Sequence, residues 1–216
     1  MRVMCSNDSS TWYMNLCRKY PENLGWLVGP RCWKNPRKDV AFALDNDAWG
    51  CFKNGAAYDF GAWHSFIERV RKTGIKPLWA LIPDVVGNRD KTLEQWHMFS
   101  DYIRHGLGWP VALAVQDGMT QGDVEGCWPD VVFVGGTTEW KWKTAHEWCE
   151  HFPRVHVGRV RSRRLPYSAA IGAESCDGTG WFRETTRGRP ARQLEAWLEN
   201  PKPHPELALA ANGVLK

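Results

Sequence analysis

Six short apolar runs each end on a polar residue or a glycine pair, and this pattern constrains the fold more than any other feature of the chain. The runs are AFALD ending at Asp45, WALIPD at Asp84, VALAVQD at Gln116–Asp117, VVFVGG at Gly135–Gly136, RVHVGR at Arg159 and GAESCDG at Asp177. Apolar runs of this length, separated by helix-like segments, read as parallel strands buried on both faces. In parallel α/β sheets ligands bind at the carboxyl ends of the strands. Three carboxylates, a carboxamide and a double glycine are therefore expected on one rim, an arrangement that suits an enzyme.

The segments between the runs set the architecture. Residues 60–74 read as a helix stopped by Gly74, 89–108 as an amphipathic helix ending in glycine, 143–152 as a helix and 162–173 as a short helix with Pro166 in its first turns. Residues 123–130 read as a short helix or turn, and 192–200 as a C-terminal helix before a proline-rich tail. Residues 1–37, rich in turn formers and aromatics, read as an N-terminal extension or lid in which GWLVGP (25–30) is a candidate extra strand; DVAFALDN (39–46) reads as the first firm strand. Strands alternating with helices give a doubly wound sheet or a barrel. Polar endings on nearly every strand favour the barrel, because a doubly wound sheet gathers them at one switch point. The expectation over residues 1–216 is a single compact (β/α)8-type TIM barrel, incomplete or irregular at this length, with 192–216 as C-terminal helix and tail.

Composition narrows the class. No apolar stretch approaches the roughly 20 residues that span a bilayer, so no membrane association is expected. The start, MRVMCSNDSSTWYMN, lacks the apolar core of a secretory signal. The seven cysteines are odd in number, scattered and without a CxxC pair, which suits free thiols in the cytoplasm. Fourteen tryptophans read mostly as packing residues, with a few available to stack on bases. The net charge of +4 is unevenly spread: residues 154–192 hold nine arginines against Glu174, Asp177 and Glu184, leaving that segment about +6 and the remainder about −2. Such a cluster is either a solvated basic face or a polyanion site, and arginine suits bidentate phosphate contact.

Each motif has a plain structural reading beside the chemical one. Asp45-Asn46-Asp47 and Asp84 each sit where a turn or helix cap also fits. Gly135-Gly136-Thr137-Thr138 is a tight turn or a loop baring N–H groups to a ligand oxygen. His146, Cys149 and His151 lie at spacings that make no tetrahedral zinc site, so no metal is expected. There is no GxGxxG, Walker loop or HExxH.

In order, these motifs resemble the tRNA-guanine transglycosylase superfamily over roughly residues 38–180. That family exchanges guanine for a 7-deazaguanine on a (β/α)8 barrel. Its Asp-Ser-Gly-Gly-Phe-Gln strand end is matched by Asp45-Asn46-Asp47-Ala48-Trp49, its base-reading aspartate by Asp84, and its Val-Gln-Gly-Gly by Val115-Gln116-Asp117-Gly118. Its Gly-Gly-Leu is matched by Gly135-Gly136-Thr137, its Met-Gly-Val-Gly by Val157-Gly158-Arg159-Val160, and its nucleophilic aspartate by Asp177 in Ser175-Cys176-Asp177-Gly178. The chain departs from the family at Asp47-Ala48, where a glycine pair is usual, and at Gly178-Thr179-Gly180; it also lacks the CxCxxC…H zinc subdomain. A short chain without those parts is most similar to the phage and bacterial 7-deazaguanine DNA transglycosylases (DpdA type).

The resemblance implies Asp177 as nucleophile, Asp45 as acid/base, and Asp84, Gln116, the Gly135–Gly136 backbone and Asp47 around the base. Arg159, Arg161, Arg163 and Arg164 would hold flanking phosphates. The implied partners are DNA with a flipped guanine and a free 7-deazaguanine base; no cofactor is implied. The alternatives are a tRNA-acting transglycosylase, a DNA N-glycosidase, and a nucleic-acid-binding barrel without exchange.

Overall fold

The computed structural model describes residues 1–6, 10–33, 35–178 and 189–200. Eight parallel strands close into a barrel in sequence order: β1 Arg2–Cys5, β2 Leu24–Val28, β3 Phe42–Leu44, β4 Ala80–Leu81, β5 Val111–Val115, β6 Val131–Val134, β7 Val155–Val157 and β8 Ser175–Asp177. The helices are α1 Thr11–Lys19, α2 Ala48–Lys53, α3 Phe60–Lys72, α4 Arg89–Asp101, α5 Gln121–Glu125, α6 Thr138–His151, α7 Leu165–Ala170 and α8 Arg189–Glu199. The barrel is complete, with all eight strands in the ring. It is irregular between β2 and β3, where Pro30 opens only a short 3-10 turn and no α-helix forms.

The two strands not firmly assigned from sequence lie inside the segment read as a lid. β1 closes the ring by pairing Val3 with Cys176 and Met4 with Asp177 on one side, and Val3 with Leu24 on the other. Four residues starting on arginine carry little strand signal, yet Arg2 is not a surface charge. Its guanidinium donates to the carbonyls of Pro21 at 2.6 Å and Leu24 at 2.7 Å, tying β1 to the turn before β2. Within this segment, β1 and β2 are therefore part of the barrel wall.

Alternation along each strand divides the core in two. Outward side chains such as Val3, Trp26, Phe42, Leu113, Val132 and Val155 pack beneath the helices. Inward side chains, including Met4, Leu27, Ala43, Trp79, Leu81, Ala112 and Ala114, fill the barrel. Three alanines leave room for Trp79, which meets His156 edge-on at 4.9 Å and Phe133 at 6.1 Å.

Helix boundaries follow local chemistry. Asp59 caps α3 by accepting from the Ala62 N–H at 2.8 Å, Trp63, Phe66, Ile67 and Val70 give the buried stripe, and Gly74 at φ +67° ends the segment. Thr120 and Asp123 form a capping box on α5. The described thiols Cys51, Cys127, Cys149 and Cys176 form no disulfide. No helix among the described residues is long and apolar enough to cross a membrane. The tail beyond residue 200 lies outside the described residues.

Trp79 is fully enclosed and fills space that its alanine neighbours cannot. Trp79→Ala is expected to destabilise the barrel by about 3–5 kcal/mol, read by urea unfolding, with Trp79→Phe costing less. A loss below about 1 kcal/mol in Trp79→Ala would contradict this packing.

Candidate active site

The strand ends bring the sequence-predicted groups to one rim. Asp45 follows β3, Asp84 follows β4, Gln116 follows β5, Gly135 and Gly136 follow β6, Arg159 follows β7, and Asp177 ends β8. Asp177 is 8% exposed and is held from two directions through one oxygen. Its Oδ1 accepts from His156 Nε2 at 3.1 Å and from the Arg159 backbone N–H at 2.9 Å. Neither interaction engages Oδ2. His156 is inward-facing and fully buried between Phe133, stacked at 4.7 Å, and Trp79. Its Nδ1 lies 2.8 Å from Ser175 Oγ, so both ring nitrogens have polar partners. Burial pushes the Asp177 carboxyl up. The His156 hydrogen bond and attraction, the Arg159 N–H and the Lys141 charge outweigh burial and hold it below the usual carboxylate range.

Asp45 has the opposite environment. Burial first, then the negative charge of Asp177 and, to a smaller degree, those of Asp47 and Asp84, push its carboxyl up to about 7. Its one hydrogen bond, from the Asp47 N–H to Oδ1 at 3.2 Å, only partly offsets this. Burial also raises Asp84, to about 6, against hydrogen bonds from Asn46 and Gln116 and the attraction of Arg159. Carboxyls on one rim whose pKa values are driven apart are an arrangement suited to dividing nucleophile and acid roles.

A web of amides fixes Asp84. Asn46 Nδ2 donates to Asp84 Oδ1 at 2.7 Å and to the Ile82 carbonyl at 2.7 Å, while Asn46 Oδ1 accepts from the Ala48 N–H. Tyr58 donates its hydroxyl to the Asn46 carbonyl at 3.0 Å. Gln116 Nε2 donates to Asp84 Oδ2 at 2.7 Å, and Gln116 Oε1 accepts from the Gly87 N–H at 2.9 Å and the Gly136 N–H at 3.2 Å. Two sequence expectations are revised here. Gln116 is a brace whose amide is already engaged on both sides, and the Gly135–Gly136 N–H groups are spent on the Val115 carbonyl and on Gln116. Gly136 is needed for another reason. It sits at φ +62°, and a Cβ there would lie 2.5 Å from Asp117 Oδ2 and 2.7 Å from the Trp140 ring.

Arg159 belongs to the pocket rather than the surface. Its backbone is left-handed at φ +57°, its guanidinium donates to the Gly136 carbonyl, and the same group lies 3.7 Å over the Trp49 ring. Trp49 is on α2, after β3, and β3 stands opposite β7 in an eight-membered ring, so this side chain spans the mouth. Two surface grooves lie elsewhere: one of about 540 Å³ beside Pro30 and α3, another of about 310 Å³ near Arg2 and Leu78. In this state Arg159 and Trp49 roof the carboxylates.

Among the described residues the remaining arginines do not form one patch. Arg154 pairs with Glu174 at 2.8 and 2.9 Å, at the far end of β7 and β8 from the rim. Arg164 lies over the Trp142 ring at 5.1 Å and near Tyr167. Arg161 and Arg163 are exposed. Arg183 and Arg187 fall outside the described residues. Asp47 takes a left-handed backbone at φ +65° and sets its carboxylate 2.8 Å from Arg31 Nε, so the surface ion pair occupies it. No cluster of three or more His, Cys, Asp or Glu able to hold a metal occurs among the described residues.

Sequence reasoning missed His156, Asn46, Tyr58, Trp49 and Lys141. His156 carried a readable signal, a polar residue at the inward position between two valines of a buried strand. Lys141, inside EWKWK, reads as a helix-surface charge, and only the fold shows it buried.

No family model and no curated protein matches the chain. Among solved structures it is similar to N-(5'-phosphoribosyl)anthranilate isomerase from Pyrococcus furiosus, at 14% identity over 92% of this chain and 97% of that one, with a TM-score of 0.48. It is similar also to phosphoribosyl anthranilate isomerase from Thermococcus kodakaraensis, at 14% identity over 92% and 99%, again with a TM-score of 0.48. Neither likeness bears on the chemistry of the site.

Asp45 has a folded-state pKa of about 7, above the unfolded value of about 3.9. The folded chain therefore binds the extra proton between those values. This group's contribution is full below about pH 4 and is lost as pH rises toward 7. Asp45→Asn removes that loss. The variant should exceed wild type in stability by about 1–2 kcal/mol at pH 8, with the difference shrinking toward pH 4.5. Urea unfolding at both pH values checks this, and a pH-independent difference would contradict the raised pKa.

Proposed function

We propose that this barrel is a base-exchange transglycosylase that replaces guanine in DNA with a 7-deazaguanine derivative through a covalent aspartyl–deoxyribose intermediate. The observation that carries the reading is the pair of rim carboxyls in opposed environments: Asp177 holds two donors on Oδ1, none on Oδ2 among the described residues and a lowered pKa, while Asp45 has a single donor and a pKa pushed up to about 7. Retaining chemistry at a sugar carbon needs that division.

In the proposed step Asp177 Oδ2 forms a bond to C1′ as the C1′–N9 bond breaks, and the departing guanine takes both electrons and a proton from Asp45. The incoming base returns a proton to Asp45 as its nitrogen attacks C1′ and releases the Asp177 carboxylate. Asp84 keeps lone pairs beyond those used by Asn46 and Gln116 and can accept from the N1–H and amine of a guanine-like base. Trp49, 39% exposed beside this group, offers a stacking face once Arg159 withdraws. The target nucleotide must leave the duplex to reach the rim.

Asp177→Asn should fold and lose both covalent capture of DNA and incorporation of the new base. Nucleoside mass spectrometry of DNA and tRNA from cells given a 7-deazaguanine supply reads the product. Incorporation into tRNA alone would assign the other branch of the superfamily, and guanine release without an acceptor would assign an N-glycosidase. Near-wild-type exchange by a folded Asp177→Asn would sink the mechanism.

Phosphate contact by exposed arginines would make DNA binding weaken steeply with salt. Since Arg164 packs on aromatic rings, Arg161 and Arg163 are the pair to test. Replacing both by alanine should lower the log–log salt slope by about two without altering base preference. Equal slopes in a salt series would leave these arginines as solvated charges only.

A further inference from the structure

Among the described residues Lys141 is the only lysine or arginine that is buried, at 1% exposed. Nothing in the proposed reaction uses it. A buried ammonium is costly to maintain unless its hydrogens are well placed. Its Nζ donates to the Gly158 carbonyl at 2.5 Å and lies 3.5 Å from the Arg159 carbonyl. The Gly158 carbonyl and the Arg159 N–H belong to one peptide unit, and that N–H is the one Asp177 Oδ1 accepts at 2.9 Å. One planar group is thus gripped at both ends, an ammonium on its oxygen and a carboxylate on its hydrogen. Both contacts polarise the peptide in the same sense, so each strengthens the other.

The surroundings keep this peptide where it is. A side chain at position 158 would meet the Phe133 ring at 2.7 Å, so only glycine lets the backbone come this close. The next residue, Arg159, holds a left-handed backbone that an L side chain adopts at a cost. We propose that Lys141 is a positioning residue for Asp177. It fixes the Gly158–Arg159 peptide so that the Arg159 N–H meets the carboxylate, and it passes its positive charge to Asp177 through that peptide. The assignment of Asp177 as nucleophile, from the proposed function, gives this its catalytic meaning.

The charged and titratable groups facing Asp177 are His156 and Arg159 from β7 and its loop, Lys141 from α6, Asp45 from β3, and Cys176 of its own strand. Lys141 faces Arg159, Asp177 and Cys176. Burial and Arg159 lower it to about 7, and Asp177 and Cys176 act against that.

The test compares wild type with Lys141→Met, close in length but uncharged, and Lys141→Arg, which keeps the charge. In Lys141→Met the Arg159 amide should lose at least about tenfold of its hydrogen-exchange protection relative to the Val132 amide. The acid limb of covalent capture should move to higher pH, and kcat should fall while the KM for free base stays within about twofold. Lys141→Arg should recover part of the protection. A folded Lys141→Met with unchanged Arg159 protection and an unchanged acid limb would overturn the proposal. The reciprocal measurement does not require Lys141→Met to fold: the Lys141 amine, followed by nitrogen NMR, should titrate at lower pH in Asp177→Asn than in wild type. An unmoved midpoint overturns the coupling. Both NMR readouts are independent of turnover, so coupling found in a protein without exchange activity supports Lys141's role and overturns only the proposed reaction.

Discussion

The pairing of β1 with β8 is the constraint on which the rest of the structure depends. Those backbone hydrogen bonds, setting Val3 against Cys176 and Met4 against Asp177, turn an open eight-stranded run into a ring without edges. Closure puts all the strand ends on one circle, so that residues separated by more than a hundred positions in sequence share a mouth. Asp45 raises its proton affinity partly because Asp177 is near, and Asp177 is near only because the ring is closed.

Gathering carboxylates on one rim creates an electrostatic problem, and the protein solves it unequally. Donors are concentrated on Asp177 and on Asp84, through His156, the Arg159 amide, Asn46 and Gln116. Asp45 receives a single amide and absorbs the repulsion as a retained proton. The amides that hold Asp84 are held in turn by Gly87, Gly136 and the Ala48 N–H, so the geometry of the site is backed by the segments following four consecutive strands, β3 to β6. In the proposed reaction this asymmetry separates the group that attacks from the group that carries the proton.

Much of this was legible in the sequence, and the parts that were not have physical reasons. Strands bounded by turn residues announce themselves through apolar runs, and their polar ends correctly marked Asp45, Asp84, Gln116 and Asp177 as rim positions. β1 escaped because four residues opening on arginine look like a terminus, and only the hydrogen bonds of Arg2 to Pro21 and Leu24 reveal its place in the wall. The basic segment was over-read, since linear charge density does not distinguish Arg154 at the opposite face from Arg159 in the mouth. The amides of Gln116 and of the glycine pair were expected to face a ligand, but a residue's capacity to donate says nothing about which acceptor reaches it first.

The arginine lying across the mouth has a consequence for how anything enters. A guanidinium on an indole face contributes about 0.5–2 kcal/mol, depending on desolvation. The same guanidinium donates to the Gly136 carbonyl and is drawn toward Asp177 and Asp84, so whatever enters must outcompete these contacts as well as the stacking one.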